Sequence, residues 1–183
     1  MSAAQELKIV FTGPMGAGKT TAITAVSDIA PVSTEMGNHD QESFAKAATT
    51  VALDLGQLSL DDGTVVRLYG TPGQDRFSFM WEIVGRGAMG VILLIDGSSP
   101  NAIPDLRAYA TAFRRIAPDQ PFIVGVGRTG PKDIDLLDGC ALALDSLRMA
   151  APVFSVDVRK REDVLLLIET LLASLELREP DLV

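Results

Sequence analysis

Short apolar runs alternate with longer helical patterns along most of the chain. The first run, at 8–12, stops at Gly13, and apolar residues with helical spacing begin after Lys19. The run at 91–95 is wholly apolar. Near-continuous apolar strands separated by helices are typical of a mostly parallel sheet that is covered on both faces. The pattern therefore predicts an α/β fold.

Two segments of alternating apolar and polar residues, 51–55 and 65–69, lie on either side of Asp62-Gly63. Asp-Gly is a strong signal for a tight hairpin turn, so these segments predict two antiparallel strands. The polar stretch at 32–49 has no clear period and predicts a long loop, and loops of that length in compact domains are usually functional. The other predicted elements are helices at 102–116, 134–149 and 163–177, and strands at 121–126 and 152–156.

Composition limits the number of domains and the classes of partner. A chain of 183 residues, 47% of them hydrophobic, predicts one domain that spans residues 1–183. The net charge of -8 leaves no large basic surface, so nucleic acid is not an expected partner. No apolar run reaches the about 18 residues that a membrane span needs. A single cysteine, Cys140, fits a reducing compartment. We therefore expect a cytoplasmic protein without an integral membrane segment, and we expect Cys140 in the core.

The residues between the first strand and the first helix match a phosphate-binding motif. Residues 13–20 read G-P-M-G-A-G-K-T, which fits G-x-x-x-x-G-K-[ST] at every fixed position. Glycines let the backbone wrap closely around phosphate oxygens, so that N–H groups and the helix N-terminus point at the anion. Lys19 then neutralises the β- and γ-phosphates, and the Thr20 hydroxyl binds magnesium. The predicted phosphate-binding residues are Gly13, Pro14, Met15, Gly16, Ala17, Gly18, Lys19, Thr20 and Thr21.

A second motif follows the predicted hairpin. Residues 68–77 read L-Y-G-T-P-G-Q-D-R-F, and here the chain resembles the Ras superfamily, whose members carry D-x-x-G-Q-E. Gly73 and Gln74 are retained, whereas Gly70 stands where the family has the aspartate that holds a magnesium-bound water. The T-P-G-Q run, followed by F-M-W-E at 79–82, resembles one bacterial branch in particular, the gliding-motility (MglA-type) and conservon-type GTPases.

The resemblance implies a Ras-like P-loop fold, whose mostly parallel six-stranded sheet contains one antiparallel strand and is flanked by helices. It implies that Gln74 orients the attacking water, that Gly73 is a nucleotide-binding residue in a loop ordered by the γ-phosphate, and that Thr50 closes over magnesium and the γ-phosphate. Thr49 is an alternative to Thr50, and either threonine can instead simply begin a strand. Because no arginine stands just before Thr50 and Arg76 is the nearest candidate, we expect slow turnover unless a partner supplies the missing group. The bacterial relatives work with small roadblock-fold proteins, which implies a regulatory partner of that type.

The motif that reads the base is the weakest part of the resemblance. Where the family has N-K-x-D, residues 127–130 read G-R-T-G, so the asparagine and the base-reading aspartate are both replaced by glycine. Arg128 occupies the lysine position and is expected to pack its stem over the base. The last family motif, S-A-K, falls near Val156 and Asp157, which are the remaining expected base-binding residues. Asp133 or Asp157 is an alternative acceptor for guanine, although a helix-capping or surface role is the default for each.

These features together favour a small GTP-binding switch that uses magnesium, hydrolyses GTP to GDP slowly, and regulates a partner through its loops. Aromatic residues at 77–81 crowd the end of the segment that senses the γ-phosphate, and we expect some of them in the core and the rest on a docking surface. Asp96 either compensates for the acid missing at Gly70 or caps the next turn. Two alternatives stay open: a nucleotide-binding scaffold that does not cycle, and an ATP-binding P-loop protein.

Overall fold

The computed structural model of the chain describes residues 6–30, 32–36, 51–74, 78–130 and 133–178. In chain order the elements are β1 (Glu6–Thr12), α1 (Lys19–Val26), β2 (Val32–Met36), β3 (Val51–Ser59), β4 (Val65–Gly70), α2 (Ser78–Gly85), β5 (Gly90–Asp96), α3 (Ala102–Ile116), β6 (Phe122–Gly127), α4 (Ile134–Ser146), β7 (Val153–Ser155) and α5 (Arg161–Glu176).

The strands within these ranges form one sheet in the order β2-β3-β4-β1-β5-β6-β7. Strand β3 pairs antiparallel with β2 and with β4, and the pairs from β4 to β7 are parallel. The predicted α/β fold is therefore confirmed, including its six mostly parallel strands with β3 as the antiparallel one. The β3–β4 hairpin turns at Asp62 and Gly63, as their dipeptide predicts.

Strand β2 is a seventh strand, and here the prediction of a loop throughout 32–49 was wrong. Val32 pairs with Leu55, and the register continues without interruption to Met36 opposite Val51. The pairing joins backbone groups that β3 would otherwise leave open at the sheet edge, and backbone pairing does not require alternating apolar side chains. A polar segment can therefore form this strand without showing a strand pattern. The rest of the stretch lies outside the described residues.

Both faces of the sheet are covered, as the apolar strands predict. Helices α1 and α5 pack on one face, and α2, α3 and α4 pack on the other. Strand β5 contributes alternate residues to the two cores, with Ile92 and Leu94 on the first face and Leu93 and Ile95 on the second. Cys140 on α4 is fully buried in the second core, which confirms its predicted place.

The strand order determines where a ligand can bind. Strands β4, β1, β5 and β6 run parallel, so their carboxyl ends meet at one edge of the sheet. The loops that follow β1, β4 and β6 leave the sheet there, and this edge is the usual ligand-binding side of an open α/β sheet.

The described helices include none that is both long enough and apolar enough to cross a membrane.

Candidate nucleotide-binding site

The loop between β1 and α1 has the backbone that its glycines predict. Gly13 has a φ of 134°, and a side chain there would collide with the carbonyl oxygen of Leu94 on β5. Gly18 has a φ of 95° and is the N-cap of α1, where an added Cβ would lie 2.8 Å from Val158. Only glycine tolerates both the left-handed backbone and the close approach. The loop therefore leads directly into the N-terminus of α1, which is a favourable place for an anion.

Lys19 lies at the centre of this loop. Its ammonium group donates hydrogen bonds to the carbonyl oxygens of Gly13, at 2.7 Å, and Pro14, at 2.8 Å. Burial lowers the pKa of Lys19 to about 8, and the negative charge of Asp54 partly offsets that effect. The side chain is thus a buried cation at the mouth of the phosphate-binding loop, where the sequence motif places it.

Thr20, the predicted magnesium ligand, contacts an acidic side chain that the sequence analysis did not select. Its hydroxyl donates a hydrogen bond of 2.5 Å to a carboxylate oxygen of Asp54 on β3. Asp54 lies directly opposite Gly70 in the antiparallel register of β3 and β4. The sequence does contain a partial signal for this residue. Position 70 lacks the expected aspartate, and a search of the neighbouring strand for an acid at the paired register position would find Asp54.

The loop after β4 rests on the phosphate-binding loop. The Met15 N–H donates to the carbonyl oxygen of Gly73 at 3.1 Å, and the Tyr109 hydroxyl donates to the same oxygen, also at 3.1 Å. The Gln74 side-chain amide lies 3.5 Å from the sulfur of Met15. The structure therefore brings Gly73, a predicted nucleotide-binding residue, and Gln74, the residue predicted to orient water, to the mouth of the loop that holds Lys19.

Aromatic residues on α2 and α3 support the loop after β4. The Trp81 indole N–H donates to the carbonyl oxygen of Pro72 at 3.0 Å, and the Trp81 ring packs against Tyr109 with 4.6 Å between centroids. Met80 and Trp81 are buried, whereas Phe79 is 56% exposed. The expected division of these aromatic and apolar residues between core and surface is confirmed for these three.

A cavity of about 550 Å³ adjoins the phosphate-binding loop on the side of β6 and β7. Its volume is suitable for the nucleoside part of a nucleotide. The residues that line it are Ala17, Gly18, Thr21, Asp96, Gly127, Arg128, Thr129, Ser155, Val156, Asp157, Val158, Arg159 and Asp163. The expected base-binding residues Arg128, Val156 and Asp157 are all in this lining.

Arg128 is directed at a carboxylate. It has a φ of 55°, and its guanidinium group forms an ion pair with Asp96 at the end of β5. The Asp96 carboxylate also accepts from the N–H of Ser98, at 3.0 Å, and from the Ser98 hydroxyl, at 2.6 Å. The Ser98 hydroxyl is the main cause of a lowered pKa at Asp96. Asp96 therefore caps the turn after β5, which was one of its two expected roles.

The two carboxylates considered as guanine acceptors already hold other groups. Asp157 accepts from the Arg159 guanidinium at 2.7 and 2.8 Å, and this pairing lowers the pKa of Asp157 to about 2. Asp133 directly precedes α4 and accepts from the Gly130 N–H at 2.5 Å. Both arrangements are the local contacts expected of surface or capping carboxylates. Of the two, only Asp157 lines the cavity, and a base that entered it would meet this carboxylate already paired with Arg159.

Three residues named by the sequence analysis, Thr49, Thr50 and Arg76, lie outside the described residues. Within the described ranges, no group of three or more histidine, cysteine, aspartate or glutamate side chains is placed to hold a metal. Magnesium in phosphate-transfer proteins is usually held by one or two protein oxygens together with the phosphates. The Thr20 hydroxyl and the Asp54 carboxylate are oxygen donors of that kind.

Comparisons with known proteins give three matches. A family model described as "Conserved hypothetical ATP binding protein" matches residues 31–129. The chain is 27% identical over 154 residues to the uncharacterized protein MJ1339 of Methanocaldococcus jannaschii, an alignment that covers 78% of this chain and 90% of that protein. It is 24% identical over 104 residues to ADP-ribosylation factor-like protein 8c of Arabidopsis thaliana, which covers 57% of this chain and 50% of that protein.

Proposed function

The chain belongs to the P-loop nucleotide-binding family described as conserved hypothetical ATP binding proteins, and we propose that it acts as a GTP-binding switch with slow hydrolysis. The observation that carries the proposal is the contact between the loop after β4 and the phosphate-binding loop, through the Met15 N–H and the Gly73 carbonyl oxygen. A γ-phosphate bound at Lys19 would meet both loops at once. The gain or loss of the γ-phosphate would therefore alter the contact between the two loops, and the loops would rearrange with the state of the nucleotide.

The proposed roles follow from where the side chains lie. Lys19 binds the β- and γ-phosphates, and Thr20 holds magnesium, which supplies positive charge to the phosphates as the transferred group develops negative charge. Gln74, beside Met15, orients the attacking water. Thr50 is proposed as a second magnesium ligand, and its position is outside the described residues.

Slow turnover is proposed because the arginines beside the cavity are already paired. Arg128 is held by Asp96, and Arg159 is held by Asp157. An arginine that stabilises the transferred phosphoryl group accounts for a large part of the rate in related chemistry, about 10³-fold or more. With these two described arginines paired, we expect slow hydrolysis until a partner supplies such a group.

We propose that the regulatory partner is a roadblock-type protein that docks beside α2. Phe79 and Ile83 on this helix are 56% and 57% exposed, so the helix presents two large apolar side chains to solvent. The helix directly follows the loop that contacts the phosphate-binding loop, so its position depends on the same segment. The likeness to the bacterial gliding-motility and conservon GTPases, and a cytoplasmic location, belong to the same proposal.

The second candidate is an ATP-binding P-loop protein. The family description favours it. Gly127 and Gly130 offer no side-chain acceptor for the guanine N1 and N2 groups, and Asp133 and Asp157 are paired elsewhere. GTP is proposed first because of the resemblance in the G-T-P-G-Q segment and the similarity to an ADP-ribosylation factor-like protein. A third candidate, the non-cycling scaffold, is favoured by the same glycines.

Two assays on the nucleotide-free protein separate these candidates. In the first, GTP and ATP compete with fluorescent GDP in the presence of magnesium, and we expect GTP to compete about 100-fold better, a difference of about 2.7 kcal/mol. Equal competition would assign the protein to ATP or to both purines. In the second, phosphate release is followed over several turnovers. A complete absence of release at saturating nucleotide would favour the scaffold.

A further inference from the structure

We propose that Asp54 on β3 supplies the magnesium-associated carboxylate that Ras-like proteins place at the position of Gly70 on β4. This inference rests on the proposed function, because it names the acid at the same nucleotide site. A carboxylate at Asp54 would explain how a chain with glycine at position 70 retains an acidic group beside the phosphate-binding loop.

The first observation is the pairing of the two strands. Asp54 and Gly70 are directly opposite each other in the β3–β4 ladder. A Cβ added to Gly70 would lie 3.0 Å from the Asp54 Cβ and 3.2 Å from an Asp54 carboxylate oxygen. The Asp54 side chain therefore occupies the space beside position 70 that an aspartate at that position would enter. Compared with an aspartate at position 70, the Asp54 carboxylate comes from the neighbouring strand β3, at the register position paired with Gly70.

The second observation is the contact with the predicted metal ligand. The Thr20 hydroxyl donates to the Asp54 carboxylate at 2.5 Å, so these two oxygens lie side by side at the start of α1. Magnesium sites at phosphates combine a P-loop hydroxyl with an acidic residue from a neighbouring strand. The described residues provide that combination in Thr20 and Asp54.

The third observation is the surroundings of the carboxylate. On β3, Gly56 and Leu58 share its face, and both are buried. A carboxylate that is half-buried on an apolar face costs free energy unless a charge or a hydrogen bond compensates it. The hydrogen bond from the Thr20 hydroxyl is such a compensating contact. The Asp54 carboxylate and the Thr20 hydroxyl thus form a polar pair at the phosphate-binding loop, next in sequence to the buried Lys19.

The test compares the rate at which fluorescent GDP dissociates in excess magnesium and in excess EDTA. In the wild-type protein we expect magnesium to slow dissociation. In Asp54→Asn, which keeps the size of the side chain and an acceptor for Thr20, we expect the magnesium effect to fall about 10-fold or more, the size of loss that the removal of a supporting group beside a metal causes. Asp61→Asn makes the same change of charge in the exposed hairpin turn after β3, and it should leave the magnesium effect unchanged.

A rescue pair provides the stronger test. Gly70→Asp alone would place a second carboxylate beside Asp54, since even its Cβ would lie 3.2 Å from an Asp54 carboxylate oxygen, and the repulsion of the two charges should weaken the magnesium effect. Asp54→Gly should lose that effect, because the carboxylate is absent from both strands. The double variant Asp54→Gly/Gly70→Asp clears the Asp54 side chain from the space and moves the carboxylate across the ladder. We expect it to regain most of the wild-type magnesium effect.

The outcomes distinguish this proposal from the proposed function. If Asp54→Asn binds GDP with an unchanged magnesium effect, the role of Asp54 is refuted while nucleotide binding stands. If Asp54→Gly alone retains the full magnesium effect, or if the double variant folds, as circular dichroism would show, and does not regain that effect, the role is refuted as well. If the wild-type protein does not bind GDP or GTP at all, the proposed function fails first and this inference fails with it.

Discussion

Replacement of Gly73 by alanine tests the contact between the loop after β4 and the phosphate-binding loop. The added Cβ would lie 2.5 Å from the backbone nitrogen of Met15 and 2.7 Å from the carbonyl carbon of Pro14. Both neighbours are backbone atoms, so no side-chain rotation can relieve the collision. Ordinary contacts between such atoms are about 3.5 Å, so the two loops must separate by about 1 Å.

The separation determines the size of the effect. The hydrogen bond from the Met15 N–H to the Gly73 carbonyl oxygen, at 3.1 Å, would lengthen beyond hydrogen-bonding range, and the bond from the Tyr109 hydroxyl to the same oxygen would be disturbed. Each bond contributes about 0.5–1.5 kcal/mol, so we expect the free energy of unfolding to fall by about 2 kcal/mol. For a domain of this size the melting temperature should then fall by roughly 4–8 °C.

The assay is thermal unfolding followed by circular dichroism, with Gly130→Ala as the control. A Cβ at Gly130 would meet its nearest neighbour, a carboxylate oxygen of Asp133, at an ordinary 3.6 Å, so that variant should melt close to the wild-type temperature. If Gly73→Ala melts within about 1 °C of the wild type, the close packing of the two loops is refuted as a determinant of stability.

The other predictions concern catalysis, packing and pH. Gln74→Ala should slow phosphate release roughly 100-fold with little change in GDP affinity, because it removes only the group proposed to orient water, and an equal rate would contradict that role. The fully buried Cys140 thiol, whose pKa burial raises, should not react with a thiol reagent at pH 8 until urea unfolds the protein. Gly139→Ala on α4 should raise the free energy of unfolding by about 0.5–1 kcal/mol, measured by urea denaturation, since the added methyl group meets no atom closer than 3.5 Å. Because Arg159 lowers the pKa of Asp157 to about 2, the stability that this pair provides should be complete above about pH 5 and be lost progressively as the pH falls through 2, so the effect of Asp157→Asn on thermal melts should be smaller at pH 2 than at pH 7.

The fold and the phosphate-binding loop could be predicted because each depends on local sequence. The apolar runs of β1 and β5 are visible as patterns, and the fixed positions of residues 13–20 specify the loop residue by residue. Strand β2 could not be predicted in this way, because it forms through backbone pairing at a sheet edge and shows no apolar alternation. Its existence depends on the open edge of β3, which is a property of the folded sheet.

Asp54, the acid beside Thr20, could not be predicted from the sequence alone. The glycine at position 70 is visible as a departure from the Ras-like pattern, but the residue that stands beside it, Asp54, is sixteen positions earlier in the chain and becomes its neighbour only through the strand register. Arg128 gives a similar case. The position of Arg128 in the motif can be identified from the sequence. Its ion pair with Asp96 cannot, because that pair depends on the left-handed backbone of Arg128 and on the adjacent end of β5.

The central claim is that Lys19 binds the phosphates of a nucleotide, and equilibrium binding of fluorescent GDP tests it most directly. The wild-type protein, Lys19→Ala and Lys160→Ala are compared in magnesium, where Lys160 is an exposed lysine next to the start of α5 and serves as the matched control. We expect Lys160→Ala to bind as the wild type does and Lys19→Ala to bind about 100-fold more weakly or not at all. Equal binding by Lys19→Ala would contradict the account, because the nucleotide would then not depend on the phosphate-binding loop.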